Sequence, residues 1–433
     1  MDVAKVALVG FGTIGSGVAR LLLEHPERIA RRAGRPIQLV RVVDPDLRRA
    51  RNVTLPGGML TADLESVLAD REITAVVQLI GGLEPERSIM LRVLESGKDV
   101  ITANKALLAE HGAELFDRAR ELGRSIAFEA AVAGGIPIIA AISECLTANQ
   151  IQSIRGILNG TSNFILTEME RRGSSYADSV AEAQRRGYAE ADPTLDVDGT
   201  DAAQKLAILA HLAFGTRVDW HDIPRTGIDV VELADIRYAT ELGYHVKLLA
   251  TAELGSDGLQ LHVSPTLVGQ GTPLAEVRGA FNAVRVVGDA VGPVFFHGQG
   301  AGQMPTASAV VADLIDTVVG RMAITFRTLG LWAAGSETTV AMSDPARVPG
   351  RYYLRFHVND RPGVLAEIAG ILGSNRISIA SVIQHEAAEE GDRLVPLVIM
   401  THSAPEGALR TAMQAIDRLP CVHAGSVRMR VRD

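Results

Sequence analysis

Residues 3–23 have the sequence VAKVALVGFGTIGSGVARLLL, in which an apolar run, a glycine-rich turn and a helical pattern follow one another. The run Val3–Val9 predicts a strand, and Gly15–Leu23 predicts a helix. Three glycines at this spacing allow a tight turn, a close approach of the backbone to a pyrophosphate and close packing of helix against strand. The free N–H groups at the helix start would bind the anion. We therefore predict a dinucleotide site formed by Gly10, Gly12, Thr13, Ile14 and Gly15.

The first third of the chain continues this alternation of β-branched runs and helical periods, which predicts a parallel sheet covered by helices on both faces. The predicted strands are Val3–Val9, Leu39–Val43, Ala75–Leu79, Asp99–Thr102 and Ser125–Phe128. The predicted helices are Gly15–Leu23, Asp63–Leu68, Glu86–Ser96 and Lys105–Leu122. The fold class is therefore α/β, with a doubly wound, Rossmann-type sheet in residues 1–145.

Two further domains are expected after residue 145. Residues 146–332 carry longer strands and amphipathic helices, typical of an α+β domain, and the helix Met304–Thr317 is expected to pack back on the first domain. Residues 333–350 are rich in Ser, Thr, Ala and Pro without periodicity, which indicates a linker. Residues 351–433 have the pattern strand, helix, strand, strand, helix, strand, and are long enough to fold alone.

Composition excludes several classes of function. The chain has 433 residues, a net charge of −8 and two cysteines, which disfavours nucleic acid as a partner and excludes a disulfide scaffold. The longest apolar run, Ala130–Ile142, is interrupted by glycine and proline and is too short to cross a membrane. No targeting segment is visible, so we predict a soluble, cytoplasmic protein. Only five of the 43 basic residues are lysines, which makes each lysine a candidate for chemistry that needs a removable proton.

The sequence that follows the second predicted strand does not decide between NAD and NADP. Asp44 ends that strand, where an acid usually accepts the ribose hydroxyls of NAD. Arg48, Arg49 and Arg51 follow and could hold the 2′-phosphate of NADP instead. A solvated loop of mixed charge is the third interpretation.

The segment from Gly187 to Lys205, GYAEADPTLDVDGTDAAQK, holds five acids and one lysine. A helix is predicted from Thr200 to Phe214, which places Asp201 and Lys205 one turn apart on one face. A lysine on an apolar face loses hydration, which makes its ammonium group a readier proton donor unless the neighbouring aspartate offsets the effect. An exposed ion pair is the alternative. The predicted apolar face comprises Ile208, Leu209 and Leu212, and the predicted exposed face comprises Gln204 and His211.

Two more polar groups interrupt apolar sequence. Thr102-Ala-Asn104-Lys105 lies at the end of a predicted sheet strand, where doubly wound folds bind ligands, although Lys105 could also be a surface lysine of a first helical turn. Asn159-Gly-Thr-Ser-Asn163 suits either a hydrogen-bonded site or a helix cap.

Five segments, in order along the chain, resemble those of homoserine dehydrogenases. They are GFGTIG from Gly10, TANKALL around Lys105, LNGTSNFIL from Leu158, the acidic segment from Gly187, and GAGQMPTASAVVADL from Gly300. The resemblance implies reversible reduction of L-aspartate 4-semialdehyde to L-homoserine with NADP or NAD.

The resemblance also implies roles for individual residues. Lys205 would donate the proton to the aldehyde oxygen, Asp201 would orient it, and Lys105 would assist proton transfer beside the nicotinamide. Glu190 and Asp196, with Lys205, would bind substrate, Glu190 at its ammonium group. Gly187 and Gly302 match positions near the cofactor. A monovalent cation, sodium or potassium, would take oxygens from Glu129, Val132, Gly134 and Ile136.

The C-terminal unit is similar to an ACT domain, which has a ferredoxin-like fold. Val358-Asn-Asp360-Arg-Pro362-Gly363-Val-Leu365 predicts a turn between its first strand and helix, with Gly363 leaving room for a small ligand. The implied effector is L-threonine, although a purely oligomerising role is an alternative. The resemblance further implies a homodimer or homotetramer.

Two other functions compete with this one. A dehydrogenase of the prephenate type with an ACT domain would lack the Asn159–Asn163 segment. A nucleotide-binding amino-acid sensor that had lost catalysis would show decay at the catalytic acids and lysines, all of which are present.

Overall fold

The computed structural model describes residues 3–328, 340–385 and 394–433. The helices are α1 Thr13–Glu24, α2 Pro26–Ala33, α3 Glu65–Leu68, α4 Glu86–Glu95, α5 Lys105–Glu121, α6 Ile138–Ala140, α7 Gly160–Arg172, α8 Tyr176–Arg185, α9 Thr194–Val197, α10 Thr200–Phe214, α11 Leu233–Glu241, α12 Gln303–Val318, α13 Arg321–Thr328, α14 Val364–Ser374 and α15 Glu406–Ile416. The strands are β1 Ala4–Val9, β2 Ile37–Val43, β3 Leu60–Thr61, β4 Ile73–Gln78, β5 Asp99–Thr102, β6 Ile126–Ala127, β7 Ile151–Ile157, β8 Tyr244–Gly255, β9 Gly258–Gly269, β10 Phe281–Gly288, β11 Gly292–Gln299, β12 Pro349–Asn359, β13 Ile379–Ile383, β14 Leu394–Thr401, β15 Ala404–Pro405 and β16 Val422–Arg432.

The chain divides into two compact units. Unit 1 comprises the described parts of Met1–Ile151, Ala203–Ile223 and Asn282–Val340. Unit 2 comprises Gln152–Ala202, Pro224–Phe281 and the described parts of Ala341–Asp433. Of the predicted linker, residues 333–339 lie outside the described residues. Among its other residues, Pro345–Arg347 forms a 3-10 helix.

The parallel sheet of unit 1 has the order β3-β2-β1-β4-β5-β6. In this order, β2 and β3 lie on one side of β1, and β4, β5 and β6 lie on the other side. This is the strand order of a doubly wound nucleotide-binding sheet. The α/β fold class is thereby confirmed. The sequence did not predict α2 or β3, because α2 buries only Ile29 and Ala33 and β3 has two residues, too few for a periodic signal.

Helix α12 packs against α1 within unit 1. A Cβ atom on Gly17 of α1 would lie 2.9 Å from the Gln303 side chain and 3.1 Å from that of Ala307, so the glycine allows close contact between the helices. Val310 and Leu314 of α12 are buried in the same core as the sheet. Pro305 lies in the first turn of α12, where its missing N–H is not required.

Helix α10 corrects the predicted pattern of burial. His211, expected on an exposed face, is buried, and Leu212 is partly exposed. The Nδ1 atom of His211 lies 3.1 Å from the Thr216 carbonyl oxygen, which accepts its hydrogen bond. Burial lowers the pKa of His211 to about 4. The error arose because α10 is apolar on nearly all sides, so its polar residues do not mark a solvent face.

The sheet of unit 2 has the order β7-β8-β9-β16-β12-β14-β13. The last four strands in that order, with α14 and α15, form the C-terminal ferredoxin-like unit with the predicted order of elements. Strands β16 and β9 pair in parallel, with Arg430–Arg432 beside Thr266–Val268. The C-terminal unit is therefore hydrogen-bonded into the same sheet as β7, β8 and β9.

A buried ion pair also ties the C-terminal unit to α11. Arg355 of β12 donates from Nε and Nη2 to the two carboxylate oxygens of Asp235, at 2.7 and 3.1 Å. The Tyr353 hydroxyl donates to the same carboxylate at 2.8 Å. Arg355 and Asp235 are both fully buried, so removal of Arg355 would leave the Asp235 carboxylate as an unpaired buried charge.

None of the helices in the described ranges is long and apolar enough to cross a bilayer.

Candidate active site

The glycine-rich turn lies between β1 and α1, and its glycines differ in what a Cβ atom would meet at each position. A Cβ atom on Gly15 would lie 2.1 Å from the Gly10 carbonyl oxygen, and one on Gly10 would lie 2.7 Å from the backbone of Leu79. Gly12, by contrast, has open space where its Cβ would be, and it begins α1 without a capping side chain. The first N–H groups of α1 are thus accessible to an anion, as a pyrophosphate requires.

Asp44, at the end of β2, is held against this turn. Its carboxylate accepts a hydrogen bond from the Phe11 N–H at 2.7 Å and pairs with Arg51, whose Nη2 lies 2.9 Å away. Arg51 also donates from Nε to the Phe11 carbonyl at 2.7 Å, and its guanidinium carbon lies 4.8 Å from the centroid of the Phe11 ring. The charge of Asp44 is therefore balanced locally.

A cavity of about 250 Å³ opens beside this pair. Its walls include Phe11, Arg49, Arg51 and Leu55. Arg48 and Arg49 are exposed at the same loop, where their backbone N–H groups donate to Asp46. The cavity thus combines an aromatic and aliphatic wall with two guanidinium groups.

The carboxyl ends of β4 and β5 carry the next predicted residues. Asn104 caps α5 by accepting a hydrogen bond from Leu107 N–H, and its Nδ2 donates to the carbonyls of Ile80 and Gly82 at 3.1 and 2.7 Å. Lys105 is the first residue of α5 and is half-buried. Because β1, β4 and β5 are parallel, Lys105 and the glycine-rich turn lie at the same edge of the sheet.

Gly302 begins α12 with a φ of +119°, a backbone conformation that favours glycine. The next residue, Gln303, donates from Nε2 to the Thr13 carbonyl at 3.0 Å, so Gly302 lies near the glycine-rich turn. The contact of Gln303 was not predicted from the sequence, because a single glutamine has no distinctive sequence pattern.

In unit 2, one side-chain amide holds two of the predicted acids. Asn159 caps α7 by accepting a hydrogen bond from Ser162 N–H at 2.7 Å. Its Nδ2 donates to Asp196 Oδ1 at 2.8 Å and to Asp201 Oδ2 at 2.9 Å. The Ser162 hydroxyl donates to the Asp196 carbonyl at 2.8 Å. The Asn159–Asn163 segment is therefore both a helix cap and part of the acidic site.

The remaining residues of the acidic segment differ in exposure. Gly187 has a φ of +72° and is exposed, as is the Glu190 side chain. The segment is anchored by hydrogen bonds from Thr161 Oγ1 to the Tyr188 carbonyl and from Gln184 Nε2 to the Glu190 carbonyl, at 2.7 and 3.1 Å. Lys205 follows Asp201 by one turn of α10 and is partly exposed.

The predicted cation ligands lie on the turn between β6 and α6. The Glu129 carboxylate accepts hydrogen bonds from Ile139 and Ala140 N–H at 2.9 and 2.8 Å, and burial raises its pKa to about 7. Within the described ranges, no hydrogen bond reaches the carbonyl oxygens of Val132 and Gly134. Such carbonyls are hard oxygen donors, which suits a cation. No cluster of three or more His, Cys, Asp or Glu side chains in those ranges could hold a metal ion.

Comparisons with known proteins match most of the chain. The family model for the NAD-binding domain of homoserine dehydrogenase matches residues 10–129, and that for homoserine dehydrogenase matches residues 137–315. An ACT domain model matches residues 352–421. The homoserine dehydrogenase of Pseudomonas aeruginosa is 45% identical over 437 residues, with 100% of this chain and 99% of the relative covered. The chain belongs to the homoserine dehydrogenase family.

Solved homoserine dehydrogenases agree in fold. The crystal structure of the enzyme from Thiobacillus denitrificans has a TM-score of 0.92 and 44% identity, covering 100% of this chain and 99% of that one. A mutant hyperthermophilic archaeal homoserine dehydrogenase in complex with NADPH has a TM-score of 0.62 and 27% identity, covering 72% and 97%. This chain is therefore an NAD(P)-dependent oxidoreductase with an ACT domain, and both competing functions are set aside.

Proposed function

We propose that Lys205, Asp201 and Lys105 carry out the homoserine dehydrogenase reaction in this chain, the reversible reduction of L-aspartate 4-semialdehyde to L-homoserine. The observation that carries this assignment is the pair of hydrogen bonds from Asn159 to Asp196 and Asp201, the second of which holds an acid one turn before Lys205 on the same helix. The bound nicotinamide supplies the hydride.

Lys205 supplies the proton in this proposal. Reduction of an aldehyde places negative charge on its oxygen, and an ammonium group within reach neutralises that charge by donating a proton. Arginine could not replace it, because guanidinium does not give up its proton. Asp201, one turn earlier on α10, orients the amine, and Lys105 assists proton transfer at the nicotinamide end.

The acidic segment binds the amino-acid part of the substrate. Glu190 has an exposed carboxylate that pairs with the substrate ammonium group. Asp196 contributes negative charge to the same site, and its orientation depends on Asn159. Gly187, with its positive φ, keeps the backbone free of a side chain near the cofactor.

The cofactor site favours NADP over NAD. A free acid at the end of β2 would repel a 2′-phosphate, but Asp44 is paired with Arg51. Arg49 and Arg51 line the adjoining cavity and carry the charge that a phosphate needs. The pyrophosphate binds the turn from Gly10 to Gly15, with Gly302 nearby.

A monovalent cation, sodium or potassium, is held by Glu129, Val132, Gly134 and Ile136. The carbonyls of Val132 and Gly134 support this assignment, and the ion would hold the turn before α6 in place. An amino-acid effector, L-threonine, binds the C-terminal domain near Gly363, which begins α14 with a φ of +97° and no capping side chain. The family reaction belongs to biosynthesis, and a cytoplasmic homodimer or homotetramer is part of the same proposal.

The test is an assay of the purified chain with L-homoserine and NADP or NAD, following formation of the reduced nicotinamide. We expect turnover with both cofactors and a higher kcat/KM with NADP. No turnover with either cofactor would overturn the proposal. Turnover that does not change when sodium and potassium are exchanged for a bulky organic cation would remove the cation from it.

A further inference from the structure

Lys247 is a buried lysine to which the reaction described above assigns no role. It lies on β8 of unit 2, and only 1% of its surface is exposed. Its ammonium nitrogen donates hydrogen bonds to the Val277 carbonyl at 2.5 Å and to Asn163 Oδ1 at 3.3 Å. Both partners lie on the side of β8 that faces α7 and the segment before β10.

Asn163 connects this lysine to the backbone around it. Its Nδ2 atom lies within hydrogen-bonding distance of the carbonyl oxygens of Val277, Gly279 and Phe281, at 3.3, 2.9 and 3.3 Å. Because the amide nitrogen points to these carbonyls, its oxygen needs a donor, and Lys247 provides one. The Asn163 side chain is therefore fixed at both of its ends.

The same helix carries Asn159 one turn earlier. The Asn163 N–H donates to the Asn159 carbonyl at 3.3 Å, within the first turn of α7. Asn159 in turn donates to Asp196 and Asp201. Hydrogen bonds, joined by the backbone and side chains of Asn163 and Asn159, thus connect Lys247 through the first turn of α7 to two acids of the active site, all within unit 2.

The surroundings of Lys247 show that its burial is unfavourable by itself. Burial, together with the nearby Arg278 guanidinium, lowers the pKa of Lys247 to about 8, although Glu170 of α7 and Glu276 act to raise it. His245, two residues earlier on β8, lies 3.1 Å from Glu170 and has its own pKa lowered by burial. A methionine would fill similar space without this desolvation penalty, so packing alone does not account for a lysine.

We propose that Lys247 is a positioning residue for the dehydrogenase reaction, which fixes Asn163 and thereby the Asn159 amide that orients Asp196 and Asp201. This inference rests on the proposed function, because the acids it orients are assigned there. Lys247 contacts neither substrate nor cofactor in this role. It determines how accurately the acids are held, and a small displacement of such groups reduces turnover strongly.

The test compares Lys247→Met with Lys98→Met, a matched buried lysine of unit 1. Lys98 is also 1% exposed and, within the described part of the chain, donates to the backbone carbonyls of Leu68 and Ser96. We expect Lys247→Met to lower kcat by about 10- to 100-fold and to leave the KM for NADP unchanged. Lys98→Met should lower the melting temperature without changing kcat. Unchanged kcat in a folded Lys247→Met variant would overturn the proposal.

A double-mutant cycle separates positioning from general destabilisation. If Lys247 acts through Asn163, the variant with both Lys247→Met and Asn163→Ala should lose about as much kcat as either single variant. Additive losses would overturn the route through Asn163. If Lys247→Met fails to fold, it is replaced by Lys247→Gln, which retains a donor, and by Asn163→Ala. A normal kcat in Asn163→Ala overturns the proposal.

The wild-type chain distinguishes the two levels of inference. A wild-type chain without homoserine-dependent turnover would overturn the proposed function and the role of Lys247 with it. An active wild-type chain whose Lys247 variants are equally active would overturn the positioning role alone.

Discussion

The Asn159 carboxamide donates a hydrogen bond to the Asp201 carboxylate, with 2.9 Å between Nδ2 and Oδ2. The other hydrogen of the same amide goes to Asp196, so one neutral group holds two acids that would otherwise repel each other. The amide oxygen caps α7. Asn159 thus caps a helix with its oxygen and, in the proposed function, orients two acids with its nitrogen, and the two roles can be tested separately.

Replacing Asn159 by serine should reduce activity while preserving the fold. Serine caps helices about as well as asparagine but lacks the amide donor. We expect kcat to fall by about 10- to 100-fold, because the two acids lose their common donor. Asn159→Ala should lose in addition about 1 kcal/mol of stability, measured by urea unfolding. Equal kcat in the serine variant and the wild type would contradict this role.

Replacing Lys205 by arginine should abolish most turnover although the charge is kept. We expect kcat to fall by about 10²- to 10⁴-fold, because arginine cannot donate the proton. The affinity for NADP, measured by titration, should be unchanged. Lys5→Arg is the matched control, since Lys5 forms an exposed ion pair with Glu72. A near-normal rate for Lys205→Arg would exclude it as the proton donor.

Replacing Arg51 by leucine should shift cofactor preference towards NAD. The change frees Asp44, whose carboxylate would then repel a 2′-phosphate and accept ribose hydroxyls. We expect kcat/KM with NADP to fall by about tenfold or more relative to NAD. Arg20→Leu, which removes an exposed pair with Glu24 on α1, serves as the control. An equal loss with both cofactors would indicate a purely structural role for Arg51.

His211 should make the protein less stable in acid. Its pKa is about 4 in the folded chain because of burial, against about 6.5 when unfolded. Between these values the unfolded chain binds more protons, so the stability associated with neutral His211 is present above pH 6.5 and is lost as the pH falls towards 4.

His211→Gln tests this dependence, because glutamine can still donate to the Thr216 carbonyl. Urea unfolding at pH 7 and at about pH 4.5 should give a loss of stability that is about 2–3 kcal/mol smaller in the variant than in the wild type. Equal losses in the two proteins would show that His211 does not control this transition.

Gly363→Ala should impair the inhibition by L-threonine that we propose. Alanine fits the space at Gly363, but its φ of +97° is unfavourable for any residue with a Cβ atom, so the turn should change shape. We expect the threonine concentration for half-inhibition to rise by about tenfold, as for the loss of one good hydrogen bond. Gly373→Ala, inside α14 with open space and an ordinary φ, is the control. Inhibition that survives Gly363→Ala unchanged would place the effector elsewhere.

The parallel sheet and the glycine-rich turn were predictable because their signals are local. A strand buried on both faces has a continuous apolar run, and Gly15 and Gly10 of the turn are required by a neighbour close in sequence and by the end of the adjacent strand. The pairing of Asp44 with Arg51 was not predictable, since it depends on how the loop after β2 returns to Phe11. The hydrogen bonds of Lys247 were not predictable either, because its partners lie 84 and 30 residues away in the sequence. The roles of Lys205 and Glu190 remain predictions.

The parallel pairing of β9 with β16 has a consequence for synthesis of the chain. Arg430–Arg432 of β16 cover the edge of β9 at Thr266–Val268, so a ribosome must make the whole intervening segment before this part of the edge is covered. Unit 1 can assemble its first strands early, whereas nascent unit 2 carries an open sheet edge for most of translation. Chains that stall or are cut before Val422 would expose that edge to one another. We expect such fragments to aggregate or to need a chaperone. We also expect that the C-terminal domain cannot be replaced by another domain without disrupting the sheet that it shares with β9.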